Sequence, residues 1–566
     1  MRFLHRAFLL ALCLLFGTLL LTSCTLAFLF EGEDTTDGTA AATTAPVTTA
    51  APPIRTSLGG VSYIREGGGY TVSGCSATHT AVTVVESLHG LPVLRVGDFA
   101  FEEATALHSV SLPASVTEIG EDAFYGLTSL TAVKFAAGSK LLSVGDGAFM
   151  DCTALTEIDL PDTVTSIGTM AFSGTGLTAL TLPRSLTEIG DYAFSTCASL
   201  VEVTFPDGGA LRTLGEGAFA DCGRLASLTL PASLREFGAG ALAGCYALRE
   251  ISLAAGSTAL SVRGGHLYSY DGSVLLQYAP GNHDLAFTLP DGVREVGPMA
   301  ALGALFKTLT LPEGVERIGD NAFTSCLLLD AVHLPASLTS LGKDAFLWCA
   351  SVTEYSVAAG NTVCRAQGGA LYTTDMSRLL YYPAAAPATS FSVPEGVRVI
   401  LGGAFFCASH LQSVTLPASL TDIEADAFRA CTSLTDFHVA GGDIFYTLGK
   451  NLYATMNGIT ILVRYAPGST ATAFSVPNGV AGIMGGAFSD ATALATVAFP
   501  ESVRLIEGGC FEGCTSLTYV FLPVNTDWYI TLEGERLDIT SAERLDATLI
   551  ARYMKQDFSY AKWQRK

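Results

Sequence analysis

From Leu112 to Phe135 the chain reads LPASVTEIGEDAFYGLTSLTAVKF, and from Leu182 to Phe205 it reads LPRSLTEIGDYAFSTCASLVEVTF. Both are copies of one pattern, L-P-x-x-[VL]-x-x-[IVL]-G-x-x-A-F-x-x-C-x-x-L-x-x-V-x-L, which recurs clearly from Leu311 to Leu334 and from Leu416 to Val439. Aligned on the Phe slot, fourteen copies fall at Phe101, Phe124, Phe149, Phe172, Phe194, Phe219, Leu242, Ala301, Phe323, Phe346, Phe405, Phe428, Phe488 and Phe511. Most successive slots are 22 to 25 residues apart. A unit this short cannot bury its own apolar face, so it has to stack on its neighbours into a quasi-one-dimensional solenoid. Such an array offers a long surface rather than a catalytic pocket.

Within a unit, L-x-x-V-x-L ends in apolar residues that alternate, the period of a strand with one buried face. The Pro that follows has no amide hydrogen and cannot continue a central strand, so Pro113, Pro183, Pro312 and Pro417 mark corners. A second short extended stretch, V-x-x-I, comes next. It ends on a Gly in ten of the fourteen copies, read as a backbone position open to positive φ, whereas the last four carry Leu401, Glu424, Met484 and Glu507 there. A-F-x-x-C-x-x-L spaces its apolar groups by three, consistent with a helical turn or short helix over the core.

The pattern from about Val61 to Pro523 resembles the BspA-like leucine-rich repeats of bacterial surface proteins. The resemblance implies an α/β-type repeat solenoid, with short strands on a curved parallel sheet and short helical or irregular segments on the back. Strands stacked at about 4.8 Å would give an array on the order of 70 Å, longer once inserts are counted.

Three spacings are longer, 59 residues from Leu242 to Ala301, 59 from Phe346 to Phe405 and 60 from Phe428 to Phe488. The extra sequence, near 254–289, 358–393 and 440–476, is itself repeated: LYSYDGSVLLQYAP, LYTTDMSRLLYYP and LYATMNGITILVRYAP. Leu-Tyr, a polar turn and an apolar-aromatic return predict an inserted β-hairpin, although Asp375-Met376 departs from the Asp-Gly and Asn-Gly turn chemistry of the other two. The plain reading is a stacked variant of the repeat. The sharper one is that Tyr268, Tyr278, Tyr372, Tyr382, Tyr453 and Tyr465 form aromatic contact sites for a ligand.

The ends differ from the repeats. Arg2, His5 and Arg6 precede a run without charge from Ala7 to Phe30, and Leu21-Thr22-Ser23-Cys24 within it resembles the lipobox of a bacterial lipoprotein signal peptide over residues 1–23. That resemblance implies a lipidated Cys24 as the mature N-terminus. Because Leu26 to Phe30 prolong the apolar run, an uncleaved membrane anchor to about residue 30 is the alternative, and either way the positive-inside bias exports the repeats. Residues 24–57 hold TTAPVTTAAPP and little apolar surface, which predicts a flexible tether. The solenoid is expected over 58–523. A C-terminal cap is expected over 524–566, with a helix around Ser541 to Met554 and a solvated basic tail from Lys562 to Lys566.

Fourteen cysteines in an exported chain would ordinarily mean disulfides. Eight of them, Cys152, Cys197, Cys222, Cys245, Cys326, Cys349, Cys431 and Cys514, sit three residues after the Phe slot, where other copies carry Ala, Leu or Thr. A slot with that tolerance asks for a small packing group, so buried thiols are expected.

A net charge of -22 argues against nucleic acid, whose phosphates need clustered Lys and Arg. If the strands turn outward between their core residues, two strips follow. One includes Ser109, Ala132, Glu157, Glu202, Glu250, Glu354, Asp436 and Tyr519, its five acids never in consecutive units, as like-charge repulsion between neighbouring strands favours. The other is a Ser and Thr ladder with Lys134, Asp159, His333, His438 and Phe521. Tyr519 and Phe521 form the one aromatic spot on the strips, read either as a partner anchor or as packing under the cap, the latter favoured. No nucleophile triad, Walker, G-x-S-x-G or H-E-x-x-H motif occurs, Gly145-x-Gly147 and Gly215-x-Gly217 belong to the repeat, and His333 and His438 stand three units apart.

The expectation is therefore a non-catalytic, lipid-anchored cell-surface binding protein that needs no cofactor and no metal. The resemblance implies adhesion or protein–protein scaffolding towards an extracellular or surface protein. A surface glycan-binding protein and a passive envelope spacer are the alternatives.

Overall fold

The computed structural model describes residues 55–532 and 535–566. Each unit makes one circuit: a strand of the outward face, a corner at Pro, a two-residue strand in a second sheet, then a run of turns. In the copy at Phe124 the circuit passes from Ser109–Leu112 through Glu118–Ile119 to Ala132–Phe135. Equivalent residues pair in parallel register, Val110 with Val133 and Ile119 with Val144, so apolar slots stack on apolar slots along the array.

The turn run is held by the same logic and is not a helix. The Phe-slot N–H donates to a carbonyl of the next unit, Phe124 to Ala148 at 2.8 Å and Phe149 to Ala171 at 2.7 Å, which withdraws it from any intrasegment helical bond. Two residues before the slot, all fourteen copies place a residue at positive φ, among them Asp122 at 49°, Met170 at 54° and Asn321 at 54°. That reversal lets the chain re-enter the core without a helical turn. Beneath it the rings of Phe101, Phe124, Phe149, Phe172, Phe194 and Phe219 stack with centroids 4.6–5.2 Å apart. Each is fully buried, which stabilises the stack by about 2–3 kcal/mol per ring.

The consensus Gly has a different role from the one its sequence position predicts. None of the ten has positive φ. A Cβ on Gly215 would lie 2.5 Å from the Gly190 carbonyl carbon, and one on Gly238 would lie 2.3 Å from that of Gly215. The glycines form a column in which neighbouring backbones approach too closely for any side chain. In the last four copies the column is gone, and the Glu424 and Glu507 carboxylates accept the Gly402 and Gly485 N–H groups of the preceding units at 3.0 and 3.2 Å.

The eight slot cysteines are buried free thiols. Each donates its S–H to the Phe-slot carbonyl of the preceding unit, as from Cys152 to Phe124 at 3.1 Å, Cys197 to Phe172 at 3.2 Å and Cys431 to Phe405 at 3.0 Å. Burial pushes the thiols of Cys152, Cys431 and Cys514 up to about 12, so they stay protonated and act as donors.

Each insert is a three-stranded antiparallel meander, one strand more than a hairpin. The first comprises Leu260–Arg263, His266–Ser269 and Val274–Gln277, and the added strand is joined by Gly264-Gly265, both at positive φ as a tight two-residue turn requires. The second starts at Cys364, the third at Phe445, and the described chain itself opens with the same device, Arg55–Leu58, Val61–Glu66 and Gly69–Cys75. Each meander starts a new second sheet and divides the core. Leu267 and Ala279 face the core before the first insert, while Tyr268, Leu275 and Tyr278 face the core after it. A strand buried on both faces explains the Leu-Tyr dipeptide, because alternate side chains enter different cores. The return also supplies a rung: Tyr278, Tyr382 and Tyr465 donate their N–H to Ala300, Ala404 and Ala487 at 2.6, 2.7 and 2.8 Å, as a Phe slot would.

Among the described residues, α-helix is confined to the C-terminal end, Ser541–Leu545 and Ala547–Arg552, followed by a π-helical turn Tyr553–Asp557. Asp546 interrupts the expected single helix and caps the second one, accepting from the Thr548 and Leu549 N–H groups at 3.0 and 3.1 Å. The basic tail is an ordered strand and not a loose end: Lys562–Arg565 runs antiparallel to Leu505–Ile506 and to Trp528–Leu532, with Trp563 and Trp528 buried while Lys562 and Lys566 stay exposed. Antiparallel pairing ends the parallel stack and covers its last apolar layer.

Candidate binding surface

The strands before each Pro corner present one face to solvent, and the two expected strips lie on it. Their register is direct: Ser109 and Ser111 pair with Ala132 and Lys134, Ala179 and Thr181 with Glu202 and Thr204, Ala331 and His333 with Glu354 and Ser356, and Thr496 and Ala498 with Tyr519 and Phe521. All of these side chains are exposed or half-buried, while the residues between them, such as Val110, Leu180 and Val520, are buried.

The meanders add rungs that the fourteen-copy reading lacks: Ala81 and Thr83, Ala286 and Thr288, Ser390 and Ser392, and Ala473 and Ser475 pair with the next unit in the same two rows. The signal was present in AFTLP, SFSVP and AFSVP, each an alternating strand followed by Pro and one repeat ahead of the next. At each insert the face sheet is interrupted. The strand before it donates instead to the meander turn, Ile251 to Gly265, Tyr355 to Gly369 and Phe437 to Lys450 at 2.8, 2.9 and 3.2 Å.

Charges on the face are sparse and mostly acidic. Asp436 accepts from Lys450 Nζ, with the nearer oxygen at 2.9 Å, which holds its carboxyl below the usual range. His333 Nδ1 lies 3.0 Å from Ser356 Oγ in the neighbouring strand. No group of three or more His, Cys, Asp or Glu among the described residues is arranged to hold a metal ion. Two hollows, one beside Pro183 and Pro206 and one beside Glu424 and Arg464, each have room for about one water molecule.

Six of the expected aromatic contact residues are corrected by the structure. Tyr268, Tyr278, Tyr372, Tyr382, Tyr453 and Tyr465 are all buried, none more than 4% exposed, because the inserted strands lie between two cores and leave neither face to a ligand. Tyr519 and Phe521 reverse the expectation in the opposite sense. They do not pack under the cap but stand 44% and 48% exposed on the outward face. Cys24 and residues up to 54 lie outside the described residues, while the last three residues of the expected tether, Arg55, Thr56 and Ser57, belong to the strand Arg55–Leu58 and so to the fold. No helix among the described residues is long and apolar enough to cross a membrane.

The family model described as BspA type leucine rich repeat region matches residues 91–195, 165–263, 285–382, 379–463 and 467–530. The chain belongs to this family. It is similar in fold to a leucine rich cell surface protein of Faecalibacterium prausnitzii, with 27% identity over 69% of this chain and 96% of that one and a TM-score of 0.48. It is also similar to the pneumococcal vaccine antigen PcpA, with 19% identity over 68% and 93% and a TM-score of 0.45, and to a leucine-rich repeat protein of Eubacterium ventriosum, with 19% identity over 85% and 98% and a TM-score of 0.39. A search of the curated proteins finds no match.

Proposed function

We propose that this member of the BspA type family is a non-catalytic surface protein that binds an extracellular or surface protein along its exposed strand face, as an adhesin or scaffold. The observation that carries the reading is the double row of outward side chains, held in register by the repeat and lying outside its core. Row positions of Ser, Thr, Ala and scattered acid give a polar surface with acidic points at Glu202, Glu250, Glu354 and Asp436, which fits a partner with basic or neutral patches. In this reading Cys24 carries the lipid that holds the chain on the outer side of a membrane, and replacing it with Ser abolishes incorporation of labelled fatty acid into the protein.

The test is saturable binding of the chain to arrayed extracellular-matrix proteins, compared with the variant Glu202→Lys, Glu250→Lys, Glu354→Lys. Charge reversal at three rim or central points is expected to weaken a complementary partner by about tenfold or more. Binding that ignores the three reversals would move the site off the face, and the absence of any protein ligand would favour the spacer reading.

A further inference from the structure

We propose that Tyr519 and Phe521 form a platform for a neutral saccharide at the C-terminal end of the outward face. Both rings project from one strand on either side of buried Val520, within 18° of parallel and with centroids 6.4 Å apart. In every earlier unit these two row positions hold Ser, Thr, Ala, Asp, Glu, Lys or His, so the pair does not follow from the repeat. Nor does the core need it, since 44% and 48% of the two residues remain in contact with solvent.

The surroundings define what can sit there. On one side the register partners are Thr496 and Ala498, followed by Ala473 and Ser475, all too short to cover an aromatic ring. On the other side the helix Ala547–Arg552 packs against the same strand, with Ile550 and Ala551 in the same core as Val520, so the two rings stand on the last strand of the face. Exposed aromatic faces carry a negative quadrupole and accept the weakly positive C–H face of a pyranose ring, while its hydroxyls stay in water or reach the neighbouring Thr and Ser. Two cations of the adjoining helical segment are already engaged, Arg552 with Asp557 at 2.9 Å and Lys555 with the Leu517 carbonyl at 3.0 Å. With a net charge of -22 on the chain as well, an anionic glycan finds no counter-charge and meets repulsion. A neutral sugar satisfies both conditions. The pair is far along the chain from the acidic positions invoked for a protein partner, and either reading can fail alone.

The experiment uses the full chain against a β-1,4-glucan, a β-1,3-glucan, a mannan and a xylan, with hyaluronan as the polyanionic comparison, by affinity electrophoresis and calorimetry. Binding of at least one neutral polymer is expected, weakened about tenfold or more in Tyr519→Ala/Phe521→Ala and within about threefold of the original in Tyr519→Phe. Hydroxyl-radical footprinting of the unaltered protein provides a second readout that needs no variant, with bound saccharide protecting both rings. The proposal is overturned if no neutral polymer binds, if the double variant binds as well as the original, if the rings stay unprotected, or if only hyaluronan binds and salt abolishes it.

Discussion

His266 offers the sharpest test of how the inserts are joined to the array. Its ring is buried, stacks on Tyr278 with centroids 4.2 Å apart, and accepts the Ala279 N–H at Nδ1, 3.1 Å away. The third insert places Asn451 in the same position, where its Oδ1 accepts the Ala466 N–H at 2.9 Å. The second carries Ala370, and there the residue to be satisfied is Pro383, which has no N–H. An acceptor is thus present where a donor needs it and absent where none exists. Burial moves His266 down to about 4, with Asp284 pulling weakly the other way. The unfolded chain takes up the proton below about 6.5 while the folded chain does not, so the stability from this residue is complete above that value and is lost as pH falls towards 4. With those two values the loss between pH 7 and pH 4.5 is about 2.5 kcal/mol. Urea unfolding followed by far-ultraviolet circular dichroism at both pH values, for the original and His266→Asn, isolates the term, since every carboxylate titrates equally in both. The original is expected to lose about 2.5 kcal/mol more than the variant. An equal loss in the two proteins would refute a buried neutral imidazole as the acceptor.

Three further outcomes follow from the packing. Gly238→Ala should destabilise by about 3 kcal/mol or more, because its Cβ has 2.3 Å to the Gly215 carbonyl carbon, whereas Gly126→Ala, at φ 68° with no atom within 4 Å, should cost only about 1–2 kcal/mol in urea titrations. Tyr63→Phe should cost about 1 kcal/mol by removing the acceptor of the Val85 N–H at 3.4 Å. Tyr268→Phe and Tyr372→Phe should instead be neutral or stabilising by about 1 kcal/mol, as these buried hydroxyls have no partner and the residues corresponding to Val85 are Pro290 and Pro394; thermal melts separate the two signs. Titration with a thiol reagent at pH 8 should reach Cys75 and Cys407, which are half-buried, and leave the eight slot cysteines unmodified until urea is added.

The parts of this molecule that were legible in the sequence are those in which one residue type answers one local demand. Pro at the corner, alternation before it and the outward rows between core residues could all be read from a single unit, and the register pairs agree with them. The consensus Gly was located but misread, because its reason lies in the neighbouring unit: from one chain segment a turn and a close approach look the same. The insert tyrosines were misread for a related cause. Leu-Tyr beside a polar turn has the composition of an exposed hairpin tip, and only the presence of a second core on the other side makes both residues interior. Arg464, the position equivalent to Gln277, shows the same limit. It is buried and donates to the Phe428 and Ser489 carbonyls, each at 3.0 Å, a role visible only once the third insert is seated between two units.

The division of labour among positions also bears on how a partner would bind. The Phe ring, the slot thiol, the Gly column and the positive-φ residue are each fixed by contacts with the adjacent unit, which leaves the two row positions as the freely variable part of the face. The stretch from Ala286–Thr288 to Glu354–Val357 has four paired strands before the next interruption, hence eight outward side chains. A protein interface of ordinary size uses about 20–30 residues a side. A partner of that size held through this stretch extends past an insert, and the relative setting of the rows on either side then becomes part of the recognition surface. That setting is fixed by strands such as His266–Ser269, which bury Leu267 in one core and Tyr268 in the next. The inserted tyrosines touch no ligand, yet they decide whether two sections of the face can engage the same one.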